Sequence, residues 1–383
     1  MALMNNVSPP TLPVLPFVDL QAQRRRIGDA IDAAVQRVFA HGQFILGPEV
    51  RELEAALAAR ADARHCIACS SGTDALQMAL MAHGIGRGDA VVVPSFTFVA
   101  SAEAVVLAGA EPIFADIDSA TYCMDSGSAA RAIDLARRKG LRPAAIMAVD
   151  LFGMPADYDR LGELARAEGV LLIDDAAQSF GASLNDRPVG SLADITTTSF
   201  YPAKPLGCYG DGGALFTNDD EIAERLRSIL IHGAGASRYE HERVGLNGRF
   251  DTIQAAILLQ KLTIFDEEVA LRSAVAEEYS RLLKDRVVTP PVSNRADPVW
   301  AQYTIRLAER DRVAGLLRQA GIPTAIYYPL PLHRQRPYRD YPSAGDGLPA
   351  SSAAAGEVLS LPMHPYLDGE SVSRVADALL TAL

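Results

Sequence analysis

Three short polar stretches carry residue types that can do chemistry. The first is Ser199-Phe200-Tyr201-Pro202-Ala203-Lys204-Pro205-Leu206-Gly207-Cys208-Tyr209-Gly210-Asp211-Gly212-Gly213-Ala214, a loop with Lys204 held between two prolines. The chain has four lysines (Lys139, Lys204, Lys261, Lys284) against thirty-two arginines, so a lysine here suggests chemistry that arginine cannot do. A desolvated lysine loses its proton and becomes a nucleophilic amine, whereas arginine stays charged. The second stretch, Ser71-Gly72-Thr73-Asp74, offers hydroxyls and free backbone N–H groups at a helix start, a setting that suits a phosphate. The third, Asp174-Asp175-Ala176-Ala177-Gln178, puts two carboxylates at the end of an apolar run, which is costly unless a cationic group lies close. Each stretch alone has a plainer explanation: a lysine in water, an ordinary N-cap, a solvated pair of acids.

The elements that must position these residues follow a regular alternation. Apolar runs predict strands over 65–69, 90–93, 112–115, 144–149 and 170–173. Amphipathic spacing predicts helices at 24–39, 48–57, from 73 to about 83, and over 101–107, 129–138 and 158–168. Continuous apolar strands alternating with helices mean an α/β fold with a mostly parallel sheet covered on both faces. Strands over 196–200 and 214–217 flank the Lys204 loop. Helices then follow at 221–231, 252–262 and 267–283, a strand at 300–307, and helices at 312–320 and 371–380. A Pro-rich connection near 288–298 and the change of rhythm place a domain boundary near residue 265. The reading is an arm (1–20), a large domain (21–265) and a smaller α/β C-terminal domain (266–383).

With 383 residues and a formal charge of −11, the chain can bury two sizeable cores and lacks the basic face that non-specific nucleic-acid binding needs. Four cysteines (Cys66, Cys69, Cys123, Cys208) make no disulfide framework, which points to a reducing, cytoplasmic setting. Cys66-x-x-Cys69 has no second pair or His partner and reads as buried strand cysteines rather than a metal site. The stretch 1–16 has four prolines and no long apolar core, so it is not a signal peptide, and no run is long enough to span a membrane. Gly84-x-Gly86-x-Gly88 has the wrong spacing for a dinucleotide fingerprint.

The motifs Ser71 to Leu76, Gly88-Asp89 with Val93-Pro94-Ser95-Phe96-Thr97-Phe98, Asp174 to Gln178, Ser199 to Gly213 and Gly245-Leu246-Asn247-Gly248-Arg249 resemble those of the DegT/DnrJ/EryC1/StrS family. The likeness runs in order from Phe17-Val18-Asp19-Leu20 to Leu361-Pro362-Met363-His364. These are sugar aminotransferases of the aspartate aminotransferase fold that use pyridoxal 5'-phosphate. The resemblance implies that Lys204 anchors the cofactor and shuttles protons, and that Asp175 keeps its ring nitrogen protonated. It also implies that Gln178 lies near the phenolic oxygen, Phe98 stacks on the ring, and Gly72, Thr73 and Ser199 cup the phosphate. Asn247 and Arg249 match residues that reach into a neighbouring subunit's site, so a homodimer is expected.

The variant around Lys204-Pro205-Leu206-Gly207-Cys208-Tyr209, with Ala301 to Thr304 and Ser360 to Tyr366, is most similar to members that aminate C3 of a UDP-linked 3-keto-N-acetylhexosamine, or its uronic acid, from glutamate for surface polysaccharide (O-antigen). Nucleotide-sugar contacts are expected from Phe44 and Ile45 and from Tyr327, Tyr328 and His333, with Arg249 able to pair with a carboxylate. Tyr327-Tyr328-Pro329 departs from the His-Tyr-Pro of many relatives, which leaves the uronate open. Two alternatives stand: amination at C4 of a dTDP- or UDP-4-keto sugar, and a non-catalytic regulator.

Overall fold

The computed structural model describes residues 13–237, 239–345 and 347–383. The first twelve residues of the expected arm, on which part of the signal-peptide reading falls, lie outside the described residues. Two helices, α1 (Leu20–His41) and α2 (Pro48–Arg60), lead into an alternating run. It comprises β1 (His65–Cys69), α3 (Gly72–Ala82), β2 (Asp89–Pro94), α4 (Ala100–Leu107), β3 (Glu111–Ala115), α5 (Ser126–Arg138), β4 (Arg142–Val149), α6 (Tyr158–Glu168) and β5 (Leu171–Asp175). Two short strands, β6 (Ser183–Leu184) and β7 (Arg187–Pro188), precede β8 (Ile195–Ser199) and β9 (Gly213–Thr217). Helices α7 (Asp220–Leu230), α8 (Thr252–Leu262) and α9 (Phe265–Leu283) come next. The remainder holds β10 (Ala296–Asp297), β11 (Tyr303–Arg306), α10 (Arg310–Gln319), α11 (Pro349–Glu357), β12 (Val358–Leu361) and α12 (Gly369–Ala382).

Seven strands form one sheet in the order β1-β9-β8-β5-β4-β2-β3. The pairs among β3, β2, β4, β5 and β8 are parallel, and only β9 runs against its neighbours. This is the expected mostly parallel α/β sheet. Side-chain alternation divides each strand between two cores. Ala90 and Val92 pack with α2, α5, α6 and α8, whereas Val91 and Val93 pack with α3, α4 and α7. Burial on both faces explains why these strands read as unbroken apolar runs. All four cysteines are buried and free, as the strand-cysteine reading required.

A third core joins α9, α10 and α12 to the β11–β12 pair, with the Tyr279 and Tyr303 rings 5.0 Å apart. Helix α9 spans both regions. Phe265 stacks on Phe180 in the large core, while Val275 to Leu283 belong to the smaller one. Three details differ from the sequence reading. The strand expected over 300–307 is only Tyr303–Arg306, because Trp300 takes a left-handed conformation (φ 52°) that ends extended backbone. Helix α11 and strand β12 were not anticipated, since Ser351-Ser352-Ala353-Ala354-Ala355 carries no amphipathic period. The β6–β7 hairpin, turning through Asn185 and Asp186 at φ 49° and 60°, is too short for a periodic signal. Among the described residues, no helix is long and apolar enough to cross a membrane.

Candidate active site

The sheet order brings the three polar stretches to one edge. Strand β9 runs antiparallel to both β1 and β8, so those two run in the same direction, and Gly213 is paired with both Cys69 and Ser199. The segment leaving β1 and the end of β8 therefore meet across a glycine. A Cβ on Gly213 would lie 2.5 Å from the Ser71 carbonyl oxygen, and one on Gly72 would lie 2.7 Å from Ser199 Cβ. Only glycine admits this approach. It places Gly72, Thr73 and Ser199, expected together as a phosphate cup, around the first turn of α3. Ser71 caps that helix, accepting from Asp74 N at 3.0 Å and donating to its carboxylate at 2.9 Å. The plain N-cap reading therefore holds, and the first turn of a helix carries backbone amides of the kind an anion can use.

Asp175 closes β5, the next strand over from β8. It is buried, with 5% of its surface exposed, and accepts from Ser101 Oγ at 2.8 Å and Ala177 N at 3.3 Å. Burial raises its pKa, opposed by the Ser101 hydrogen bond and by the positive charge of Lys204. Burial pushes the Lys204 ammonium in the opposite direction, below its ordinary value, with Asp175 holding it up. Lys204 therefore reaches its neutral, nucleophilic form more readily than a lysine in water. Its backbone N–H donates to Tyr201 O at 2.8 Å, turning the loop back on itself.

The paired-acid reading needs correcting. Strand alternation sends Asp174 away from Asp175 and from any cation. Asp174 accepts from Tyr158 Oη at 2.6 Å and Thr196 Oγ1 at 3.2 Å, under α6. Only Asp175 belongs to the Lys204 site. Gln178 accepts from Phe152 N at 2.8 Å and donates to Tyr328 Oη at 3.4 Å. Tyr328 packs 6.0 Å from the half-exposed ring of Phe98 and 6.3 Å from Phe96. Gln178, Phe98 and Tyr328 thus form one aromatic and amide wall. Tyr327 lies between Tyr328, 5.8 Å away, and Phe17, 6.4 Å away. His333 is tied by Nδ1 to Ser95 Oγ at 2.6 Å, which fastens its loop to the end of β2.

Phe44, Ile45, Asn247 and Arg249 gather beside the start of α3, where Ser70 N donates to Gly248 O at 2.9 Å and Cys69 bridges Arg249. Arg249 Nε donates to Asn247 Oδ1 at 2.8 Å, and both residues line a cleft with Ile45, Ser70 and Asp211. The cavity containing Lys204 is lined by different residues, among them Asp19, Lys261, Glu268, Arg272 and His364. Phe44 packs against Phe39 at 6.2 Å with the rings tilted by 59°, and both rings are exposed.

The sequence reading missed the support beneath the Lys204 loop. Lys261 Nζ donates to Gly207 O at 2.6 Å and lies over the Tyr209 ring, and burial lowers its pKa to about 8. Its signal was a lone lysine among apolar helical residues, which periodicity cannot tell from a surface position. His364, buried beside Arg272, has a pKa pushed down from 6.5 to about 4, first by burial and then by that guanidinium. The fold therefore favours neutral imidazole, while the unfolded chain takes up a proton below about 6.5. The stability contributed by this residue is complete above the unfolded value and is lost as pH falls towards about 4, by roughly 1–3 kcal/mol. In urea unfolding at neutral and mildly acidic pH, His364→Gln should lose less stability on acidification than the parent chain; equal losses would count against this account.

The chain resembles known proteins over nearly all of its length. A family model described as the DegT/DnrJ/EryC1/StrS aminotransferase family matches residues 25–380. A Pseudomonas aeruginosa protein named UDP-2-acetamido-2-deoxy-3-oxo-D-glucuronate aminotransferase is 50% identical over 367 residues, covering 96% of this chain and 99% of its own. A crystal structure of a Brucella abortus aminotransferase of this family superposes with a TM-score of 0.94 at 48% identity, covering 95% of this chain and 98% of its own. The Bacillus subtilis protein NtdA, solved with bound cofactor PMP, gives a TM-score of 0.86 at 29% identity over 98% of this chain and 86% of its own. With a half-buried Lys204 whose charge is felt by the buried Asp175, and a match spanning nearly the whole chain, this protein belongs to the DegT/DnrJ/EryC1/StrS aminotransferase family.

Proposed function

We propose that this aminotransferase carries the amino group of glutamate to C3 of a UDP-linked 3-keto-N-acetylhexosamine or its uronic acid, in the cytoplasm, for surface polysaccharide. The observation that carries the chemistry is the buried carboxylate of Asp175, fixed at the end of β5 by Ser101 and Ala177 within electrostatic reach of Lys204. The substrate rests on the 50% identity to the Pseudomonas protein and on what that protein's name says it acts on.

The donor set fits pyridoxal 5'-phosphate. The glycine-tight cup of Gly72, Thr73 and Ser199 suits its phosphate, Asp175 its ring nitrogen, Gln178 its phenolic oxygen, and Phe98 its ring face. When bound, that cofactor takes up electrons from the carbon losing a proton and stores the amino group between the two half-reactions. Asp175 would hold a proton at the ring nitrogen, which an anion fixed by Ser101 and Ala177 can do from a buried position. Lys204 would hold the cofactor and, as a neutral amine, would take up and return a proton at the substrate carbon. Tyr327, Tyr328 and His333 lie on the C-terminal side, where a nucleotide sugar would enter. The large domain (21–265) would hold the cofactor, and the smaller domain (266–383) would help to close the site.

The open cleft of Ile45, Asn247 and Arg249, bordered by Ser70 and by Gly210 and Asp211 of the Lys204 loop, supports a homodimer in which these residues complete the neighbouring copy's site. The exposed rings of Phe39 and Phe44 beside it provide apolar surface for such a contact.

The test is an absorbance spectrum of the purified protein. The visible cofactor band should bleach with glutamate and return with the UDP-3-keto sugar, and mass spectrometry would then locate the new amine. Bleaching without return would discard the sugar assignment, and an amine at C4 would move the reaction to the alternative carbon. No band, even after adding pyridoxal phosphate, would sink the reading.

A further inference from the structure

Behind Asp175 lies a second, fully buried carboxyl pair that transamination does not require. Asp150, just past β4, and Asp174 on β5 are both 0% exposed. The Tyr158 hydroxyl sits between them, 2.8 Å from Asp150 Oδ1 and 2.6 Å from Asp174 Oδ1. A phenol has one proton and can donate to only one carboxyl. The other contact also joins two oxygens at hydrogen-bond distance, so its proton must sit on a carboxyl. The phenol does not supply it by ionising, since burial and the two acids keep Tyr158 protonated.

The hydrogen-bond partners decide which acid carries the proton. Asp150 also accepts from Ala156 N at 2.8 Å and Ser179 Oγ at 2.7 Å, so with Tyr158 it has three donors, the shell of an anion. Apart from Tyr158, Asp174 has Thr196 Oγ1 at 3.2 Å. The consistent chain of donors is Asp174 O–H to Tyr158 Oη, and Tyr158 O–H to Asp150 Oδ1.

We propose that Asp174 stays protonated in the working enzyme and acts, through Tyr158 and Asp150, as a positioning residue for Asp175 and Gln178. The chain clamps the segment after β4 onto the end of β5. Asp150 N donates to Asp175 O at 3.2 Å, and Phe152 N holds the Gln178 side chain at 2.8 Å. The charge matters as much as the geometry. The ionisable groups around the pair are Tyr158 from α6, Cys123 from the loop before α5, and Asp175 on the same strand, with Lys204 beyond it. A second anion at Asp174 would disfavour the charge on Asp175, and a neutral acid spares it. Asp175 can then remain an anion although buried.

This inference rests on the role given to Asp175 above, but its first readout needs neither substrate nor turnover. In infrared spectra of the holoenzyme at about pH 8, where an ordinary Asp is fully ionised, a protonated-carboxyl C=O band is expected. It should persist in Asp150→Asn and vanish in Asp174→Asn. No such band in the parent protein, or a band lost in Asp150→Asn and kept in Asp174→Asn, would overturn the assignment. The parent and Asp150→Asn spectra decide the matter even if Asp174→Asn fails to fold. In kcat, Asp174→Leu should lose about tenfold or more, and Asp174→Asn, whose amide N–H can replace the acid proton as donor to Tyr158, should recover most of it. Equal losses in both variants would show that the neutral donor is not what Asp174 contributes.

Discussion

Replacing Lys204 by alanine is expected to leave no measurable transamination, a fall of at least about 10⁴-fold in kcat. The methyl group can neither bond the cofactor nor move a proton, and no other lysine can take over. Lys261, on the far side of the loop, is committed to the Gly207 carbonyl. Lys204→Arg should fail equally, because a guanidinium does not give up its proton at this depth. The measurement is single-turnover conversion of glutamate to 2-oxoglutarate, with the bound-cofactor spectrum as control. Both variants should still take up cofactor through the phosphate cup, with a shifted visible band. Substantial amino transfer by Lys204→Ala would rule out the proposed role.

Asp175→Asn is expected to cost roughly 10³-fold in kcat and to weaken cofactor binding by about tenfold or more. The amide fills the same space and can still meet Ser101 Oγ, but it carries no charge to keep a ring nitrogen protonated. Because Asp175 and Lys204 hold each other's charge in place, the loss of the carboxylate should also lower the Lys204 pKa further. The Lys204 ammonium of the cofactor-free protein should then titrate at lower pH than in the parent. Activity within about threefold of the parent, with an unmoved titration, would show that the ring nitrogen does not depend on Asp175.

The layer architecture, and the groups proposed to react, are legible along the chain. Apolar strands buried on both faces, such as Val91 to Val93 and Leu172-Ile173, leave a local record because every position along them must be hydrophobic. Lys204 between prolines and Gly72 at a helix start are likewise local features, and their order along the chain carried the family resemblance.

The tertiary structure decided what depends on strand order and on direction across a sheet. The reversal of β9 brings Gly72 to Ser199, although 127 residues of chain separate them. Asp174 and Asp175 look alike in the chain, yet β-strand alternation gives one to Tyr158 and the other to Ser101 and the Lys204 site. Lys261 and His364 acquire their roles only because α8 and the segment after β12 pack beneath the Lys204 loop. A side chain's type is written at its own position, but its pKa and its partners come from whatever distant backbone the fold lays against it.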